Sequence, residues 1–382
     1  MPTRAYLDHA SASPLRPEAR AAVLAWLDAA DPGRMHIEGR MARAALEAAR
    51  ESVAGLLGAA PRSVVFTSGG TEALNAAVVG AVARARQRGV ERPEVVVPAV
   101  EWSSVAAAAA RVATVVPVGV DGDGAVDPAA LAAAVTPATA LVNCQWANHE
   151  VGTVQPVREV VEACRDRGVP VHVDACAAAG HLPIAFDALG ADLLSVSAAK
   201  MGGPHGAGAL LVRRGLRVPP LLLGGAQERD RRAGLEDVAG QAGFGAAAEV
   251  LAASLEAEAA AARERVGRLR AAALAVPGVH ALGPASPGGR LPHLLCLLVD
   301  GVEAEAVLLG LDQAGVAAHS GSACSSETLE PSPVLEAMGV AAERSLRLSV
   351  GWSTTDADIE LACAAFPAVV GRLRALAGSG GA

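Results

Sequence analysis

The 382-residue sequence almost lacks one common residue type, because Lys200 is its only lysine and every other long basic side chain is arginine. Arginine serves wherever a plain surface cation is needed, so the exception at position 200 indicates a task that arginine cannot perform. A neutral amine can attack a carbonyl carbon, whereas a guanidinium stays protonated. Lys200 is therefore a candidate nucleophile, and a chance surface lysine remains the alternative at this point.

Features typical of other protein classes are also absent. The six cysteines show no Cys-x-x-Cys spacing, which argues against a zinc site or a disulfide framework and favours reduced thiols. The N-terminus has no uninterrupted apolar signal region, and the Ala-rich run near residue 105 is too short to span a bilayer. The net charge of -8 comes without an arginine-rich block. We expect a globular, cytoplasmic protein with no metal, membrane or nucleic-acid partner.

Short apolar runs alternate with helical segments through the first two thirds of the chain. Such continuous runs, spaced by helices, are typical of buried strands in a mostly parallel sheet that is covered on both faces. The predicted strands are Val64–Phe66, Val95–Val97, Val115–Val118, Ala140–Cys144, Val171–Val173, Leu193–Val196 and Ala209–Val212. The sequence therefore predicts a layered α/β domain with a seven-stranded sheet.

The pattern changes near residue 241, where a long helix rich in Ala, Leu, Glu and Arg is predicted to run to about residue 275. Strands at Leu294–Val299 and Leu346–Val350, with helices near 303–314 and 356–370, indicate a smaller α+β domain. We expect a large domain over residues 13–250 and a small domain formed by residues 1–12 and 251–382.

Three predicted strand ends carry polar groups. Asp174 ends one strand, Ser197 and Lys200 follow the next, and Gly69–Gly70–Thr71 leads from a strand into a helix. Open α/β sheets bind ligands at this edge, and a helix N-terminus with free N–H groups suits a phosphate. An acid can hold a protonated pyridine nitrogen, although Asp174 alone could equally cap a helix. Together the three ends predict a site for pyridoxal 5'-phosphate (PLP).

The order of these motifs resembles the cysteine desulfurases, in the class V aminotransferase group of fold-type I PLP enzymes, over nearly the whole chain. The matching stretches are 6–10, 35–40, 66–75, 147–152, 172–175, 197–200, 224–234, 320–324 and 347–351. The resemblance implies a homodimer, in which residues 224–237 reach the cofactor of the other subunit.

The resemblance also implies a role for each matching residue. Lys200 would hold the cofactor and transfer protons, and Asp174 would hold the pyridine nitrogen. The remaining cofactor contacts would be made by Gly70, Thr71, Trp102, Asn148 and Ser197. Arg347, with Asn148, would bind the substrate carboxylate, a bidentate task that suits arginine.

Cys324 lies in the small, polar stretch Ser-Gly-Ser-Ala-Cys-Ser-Ser, which favours an accessible thiol over a core position. As a thiolate it would take sulfur from L-cysteine and hold a persulfide for an acceptor protein, leaving L-alanine. The other cysteines stand in apolar or helical contexts, where we expect core positions.

Four positions depart from the family pattern, and all concern the cofactor. Trp102 stands where the family has a stacking histidine, Ala177 replaces a glutamine, Ala199 replaces a histidine, and Leu235 replaces a threonine. Each lost hydrogen bond to a charged group costs roughly 1.5–3 kcal/mol, so cofactor binding is expected to weaken. His36, His149, His181 and His319 are candidates to replace the missing imidazole. The alternatives are a PLP-dependent lyase or aminotransferase acting on another amino acid, such as selenocysteine, and a degenerate scaffold protein.

Overall fold

Strands and helices alternate along the chain in the computed structural model, which describes residues 4–320 and 332–379. The strands are β1 (Ala5–Tyr6), β2 (Val64–Thr67), β3 (Glu94–Pro98), β4 (Thr114–Val118), β5 (Thr139–Gln145), β6 (Val171–Asp174), β7 (Leu193–Ser197), β8 (Gly208–Val212), β9 (Val279–Ala281), β10 (Leu294–Val299), β11 (Val316–Ala317), β12 (His319–Ser320) and β13 (Ser345–Ser349). The helices are α1 (Pro17–Ala25), α2 (Ile37–Leu56), α3 (Gly70–Gln87), α4 (Ser103–Val112), α5 (Pro128–Ala133), α6 (Val157–Arg165), α7 (Phe186–Leu189), α8 (Gln227–Asp230), α9 (Val238–Leu274), α10 (Ala304–Gln313), α11 (Pro333–Ala337) and α12 (Asp356–Ser379).

A seven-stranded sheet with the order β2-β8-β7-β6-β5-β3-β4 forms the centre of the larger part of the molecule. The pairs from β4 to β7 are parallel, and β8 runs antiparallel to both β7 and β2. Val65 and Val95 face a core shared with α3 and α4, while Val64 and Val96 face a core shared with α2 and α6. Apolar groups on both faces explain the continuous apolar runs, so the predicted layered, mostly parallel sheet is confirmed.

A second core lies between an antiparallel sheet of order β12-β13-β10-β9, the β1–β11 pair, and helices α9, α10 and α12. Leu7 from the N-terminus packs there with Leu297, Leu348 and Phe366. The described C-terminal elements match the predicted α+β pattern, and the N-terminal strand joins them. The domain limits at residues 12 and 250 stay a prediction.

Helix α9 contributes to both cores, with Phe244 and Leu251 in the first and Val266 and Leu269 in the second. Within residues 4–320 and 332–379 it alone is long and apolar enough to cross a bilayer by length and composition. More than half of its most apolar stretch is buried in the fold. A place in the core accounts for that apolar character.

A buried polar network crosses three neighbouring strands of the large sheet. His172 of β6 is fully buried, and its Nε2 lies 2.8 Å from Ser195 Oγ of β7. Its Nδ1 contacts Asn143 Oδ1 of β5. Burial lowers the pKa of His172 to about 3, so the ring is neutral in the folded protein.

We predict that this histidine makes the protein labile to acid. The unfolded chain takes up the proton near the ordinary histidine pKa, while the folded chain resists it until about 3. The free energy of unfolding therefore falls by about 1.4 kcal/mol per pH unit as the pH drops below about 6.5. Urea unfolding of His172→Gln over this range should show a slope shallower by about that amount. The control is His280→Gln, at a largely exposed position, and equal slopes in His172→Gln and the unaltered chain would contradict the assignment.

Candidate active site

Lys200 lies at the carboxyl edge of the large sheet, where β7 ends at Ser197 and a short 3₁₀ turn follows. Its Nζ donates to the carbonyl oxygens of Ala10 and Ser11, at 2.6 Å each. Burial lowers the pKa of Lys200 to about 8, and the nearby Arg347 guanidinium adds to the effect. Near neutral pH a larger fraction of this amine is therefore free of its proton than in an ordinary exposed lysine.

Asp174 ends the adjacent strand β6, in register with Gln145 of β5 and Ser195 of β7. The residue is 6% exposed, and Oδ1 accepts the Cys176 N–H at 2.9 Å. Burial raises the pKa of Asp174, and the charges of His149 and Lys200 oppose that rise. Asp174 caps a turn rather than a helix, and its buried carboxylate is suited to hold a cation.

The N-terminus of α3 is packed closely against Ser197 and Cys176. A Cβ on Gly70 would lie 2.7 Å from Cys176 Sγ and 3.3 Å from Ser197 Cβ, so only glycine fits there without a shift. Thr71 is exposed on the first turn of the helix. The first N–H groups of a helix have no partner within it, so the predicted phosphate residues Gly70, Thr71 and Ser197 lie together at a positive helix end.

The segment that carries Leu235 is joined to this helix by an ion pair. Arg232 Nε lies 2.9 Å from Glu72 Oε1, and Glu72 Oε2 accepts the Ser68 N–H at 2.8 Å. The Leu235 side chain is 63% exposed. The segment therefore presents an apolar side chain to solvent close to the predicted phosphate site.

Arg347 comes from β13 in the second core and is 1% exposed. Its Nη1 donates to the His149 carbonyl at 2.9 Å, and its Nη2 donates to Asp8 Oδ1 at 3.0 Å and Ser11 Oγ at 2.6 Å. Its Nε is buried without a hydrogen-bond partner in the described part of the chain. An unpaired guanidinium N–H at this place is suited to an anionic group of a ligand.

Asn148 has one hydrogen-bond donor left for a ligand. Its Oδ1 accepts the N–H groups of Glu150 and Val151 at 2.8 and 2.9 Å, and its Nδ2 donates to the Val100 carbonyl at 3.2 Å. An amide nitrogen has two hydrogens, so one N–H remains. Asn148 can thus contact a ring oxygen or a carboxylate only as a donor.

Trp102 precedes α4 and packs edge-on against His149, with ring centroids 4.3 Å apart. Its indole N–H donates to Ser104 Oγ at 3.0 Å, so the ring is held in place. The preceding Glu101 is buried, and its carboxyl accepts the N–H groups of Gln145 and Trp102. Burial raises the pKa of Glu101 to about 8, and the charge of Asp174 adds to the effect. No sequence motif indicated this acid.

The structure separates the four candidate histidines. His149 and His181 line a small void together with Lys200 and Ala177. His36 instead caps α2 by accepting the Gly39 N–H at 3.1 Å. His319 lies on β12, opposite Arg347, and its Nδ1 contacts the Ser320 carbonyl. Only His149 and His181 of the four lie next to the lysine in the described structure.

The cysteines divide between the core and the site. Cys144, Cys164 and Cys296 are buried as expected, and Cys363 is partly exposed. The expectation of a core position was wrong for Cys176, which lies partly exposed between Asp174 and Gly70. The sequence missed it because the contact joins two loops far apart in the chain. Cys324 lies outside the described residues.

The residues fit PLP on the evidence of the geometry alone. The lysine is partly buried with a lowered pKa, the carboxylate at the next strand end is buried, and a glycine without room for a Cβ stands at a helix N-terminus. These groups match the aldehyde, the pyridine nitrogen and the phosphate of that cofactor. The methyl side chains of Ala177 and Ala199 can make no polar contact with the cofactor.

Comparisons with known proteins agree with this geometry. The family described as Aminotransferase class-V matches residues 5–361. A cysteine desulfurase of Cereibacter sphaeroides is 40% identical, covering 98% of this chain and 97% of its own length. An IscS-like cysteine desulfurase of Mycobacterium tuberculosis is also 40% identical, covering 98% and 99%.

Solved structures give the same result. A NifS-like protein has a TM-score of 0.89 at 26% identity, covering 97% of this chain and 100% of that one. A structure described as SspA in complex with cysteine has a TM-score of 0.80 at 27% identity, covering 91% and 99%. The fold is therefore that of fold-type I PLP enzymes, and the chain belongs to the class V aminotransferase family, among its PLP-dependent cysteine desulfurases.

Proposed function

We propose that this enzyme removes sulfur from L-cysteine, giving L-alanine and a persulfide on Cys324 that passes to an acceptor protein. The observation that carries the proposal is the single lysine, partly buried within electrostatic reach of Asp174 and Arg347, in a chain 40% identical to a cysteine desulfurase. We further propose that the enzyme works in the cytoplasm, where thiols remain reduced.

Asp174 and Lys200 prepare the site for the cofactor. When bound, PLP supplies an electron sink for the bonds around the substrate α-carbon. The Asp174 carboxylate would keep a proton on the pyridine nitrogen, because it is buried and has one N–H partner from the turn. Lys200 would accept and return protons, since its pKa of about 8 lies near the working pH.

Arg347 and Asn148 would orient the substrate through its carboxylate. Arg347 has an unpaired Nε–H, and Asn148 has one free Nδ2–H. The ion pair with Asp8 and the bond to the His149 carbonyl hold the guanidinium in one orientation. A fixed pair of donors lowers the entropy cost of placing the substrate.

Cys324 would carry out the sulfur transfer. Its thiolate attacks the sulfur of the substrate, an S–S bond forms, and the C–S bond breaks. The electron pair of that bond stays with the substrate carbon, which takes up a proton and becomes the methyl group of alanine. Cys176, although at the site, is poorly suited, because burial and the Asp174 charge raise its pKa well above the ordinary value.

A homodimer is supported by exposed apolar side chains on helices α1 and α2 and on the segment between them. The residues are Leu24, Leu27, Met35, Ile37 and Met41, with exposures from 56% to 89%. They fall within one stretch from α1 to the start of α2. Exposed apolar groups of this size mark interaction sites, and we propose a second copy of this chain as the partner.

Two substitutions test the chemistry. With PLP added, the unaltered protein should show a visible cofactor absorbance band and form alanine from L-cysteine. Lys200→Ala should lose the lysine-dependent band and nearly all alanine formation. The chain has no second lysine, and neither an arginine side chain nor water can replace the amine as a nucleophile. Cys324→Ser should keep the band and lose alanine formation by a factor of about 10² or more.

The products distinguish the alternatives. Full alanine formation by Cys324→Ser would overturn the persulfide mechanism. Pyruvate in place of alanine would indicate a lyase, and the absence of bound cofactor with excess PLP would favour a scaffold protein.

Gly70 gives a separate test of cofactor placement. Gly70→Ala puts a methyl group 2.7 Å from Cys176 Sγ, so the helix N-terminus must shift. We expect the dissociation constant for PLP to rise about tenfold or more, which corresponds to at least about 1.4 kcal/mol. Gly55→Ala is the control, since its Cβ would meet no atom within 4 Å. Equal PLP affinities for the two variants would place the phosphate elsewhere.

Introducing charged side chains into the exposed apolar stretch tests whether it forms the dimer interface. The double variant Met35→Asp, Ile37→Asp should elute as a monomer in light-scattering chromatography, because burying two carboxylates costs several kcal/mol. Leu309→Asp, at a position 60% exposed on α10, is the control and should stay dimeric. A double variant that remains dimeric would assign the interface to another surface.

A further inference from the structure

The lysine is surrounded on one side by imidazoles. His9, His149, His181 and His293 line a single small void together with Lys200. In the described residues they form no group of ligands able to hold a metal ion. The sequence offers no motif for this arrangement, because the four histidines come from distant parts of the chain. We refer to these four residues as the histidine cluster.

The void has the size of a water site. Its volume is about 10 Å³, close to the roughly 10–15 Å³ that one water molecule requires. The Ala177 side chain forms part of its wall. A larger side chain there would fill the space.

Two polar groups at the void have hydrogen-bonding capacity left. Protonated Lys200 has three N–H donors, and the carbonyls of Ala10 and Ser11 take two of them. His293 is 2% exposed, and its Nδ1 is buried without a hydrogen-bond partner in residues 4–320 and 332–379. A buried polar atom without a partner is costly, and a bound water removes that cost.

Only one member of the histidine cluster meets the requirements of a relay. The His9 nitrogens contact hydroxyl groups, Nδ1 at Ser13 and Nε2 at Ser353 and Thr354. His149 Nε2 lies 3.3 Å from Glu150 Oε1. His181 and His293 both line the void and a larger cavity of about 270 Å³. His181 is hydrogen-bonded to the Lys200 backbone, whereas His293 Nδ1 has no partner in the described residues. An imidazole can take a proton at one nitrogen and release it from the other.

The larger cavity gives a way to solvent. Its lining includes Lys200, His181, His293, Arg16, Glu258 and Trp352. Glu258 forms an ion pair with Arg16 at 2.6 Å, and its side chain is 27% exposed. His181 stacks on His293, with centroids 3.4 Å apart and an angle of 14° between the rings. The stack fixes the orientation of the His293 ring between the two cavities.

We propose that His293 relays protons between Lys200 and solvent through one water molecule in the void, and that His181 positions its ring. Lys200 gives a proton to the water, the water gives one to His293 Nδ1, and Nε2 releases one into the larger cavity. No electrons are transferred. The inference rests on the proposed role of Lys200 as the base, and it gives the route by which Lys200 exchanges protons with solvent.

Other charged groups surround this route. Arg347, Cys176, Asp8 and Asp174 act on Lys200. His9, Glu258 and Arg16 act on His181, and Arg347 also acts on His293. Burial lowers the pKa of both stacked rings, so they are neutral near neutral pH and can accept a proton briefly.

The single lysine allows a direct measurement on the full chain. Protein labelled with ¹⁵N-lysine gives one side-chain ammonium resonance, whose proton exchange with water is measured by NMR at fixed pH without added PLP. His293→Phe keeps a ring to stack on His181 but removes both nitrogens, and we expect exchange to slow about tenfold or more. His280→Phe is the control, because His280 is largely exposed and contacts Asp300.

A second variant covers the possibility that His293→Phe does not fold. Ala177→Leu fills the void and should slow the exchange in the same way. Unchanged exchange in the folded variants would overturn the relay. The NMR measurement needs no cofactor. If exchange slows in the variants but the unaltered protein does not bind PLP, the relay is supported and the proposed function is refuted.

Discussion

The partly buried amine of Lys200 lies within electrostatic reach of the buried guanidinium of Arg347, and much of the site is organised around these two cations. Desolvation and the guanidinium lower the pKa of Lys200 to about 8. Two unpaired buried cations would be very costly. Asp8 pairs with Arg347 at 3.0 Å, and the charges of Asp8 and Asp174 both favour the protonated lysine. The result is an amine that is largely desolvated yet reactive near neutral pH.

The topology explains how these groups meet. Parallel strands β6 and β7 bring Asp174 and Lys200 to the same edge of the sheet, where ligands bind in such folds. Arg347 comes from the antiparallel sheet of the second core, and residues 8–11 connect the two regions through hydrogen bonds to both Lys200 and Arg347. The site is therefore built at the contact between the two cores.

The sequence predicted what depends on local patterns. All seven strands of the large sheet were identified, because each is a continuous apolar run, and Lys200 stood out because it is unique. It did not reveal Glu101, the position of Cys176, or the His181–His293 stack. Each of these depends on contacts between loops or cores that are far apart in the chain, and no local spacing encodes them. The sequence indicates only lost contacts at Trp102 and Ala177, whereas the structure places Trp102 against His149 and Ala177 at a water-sized void.

The central claim is that Cys324 accepts the sulfur at a site activated by Lys200. The most direct measurement is peptide mass spectrometry of all six cysteines after the PLP-loaded enzyme reacts with L-cysteine, with alkylation to trap persulfides. We expect one added sulfur atom on the Cys324 peptide, in proportion to the alanine formed, and none in Lys200→Ala. Sulfur on Cys176 instead, or alanine formed with no persulfide on any cysteine, would contradict it.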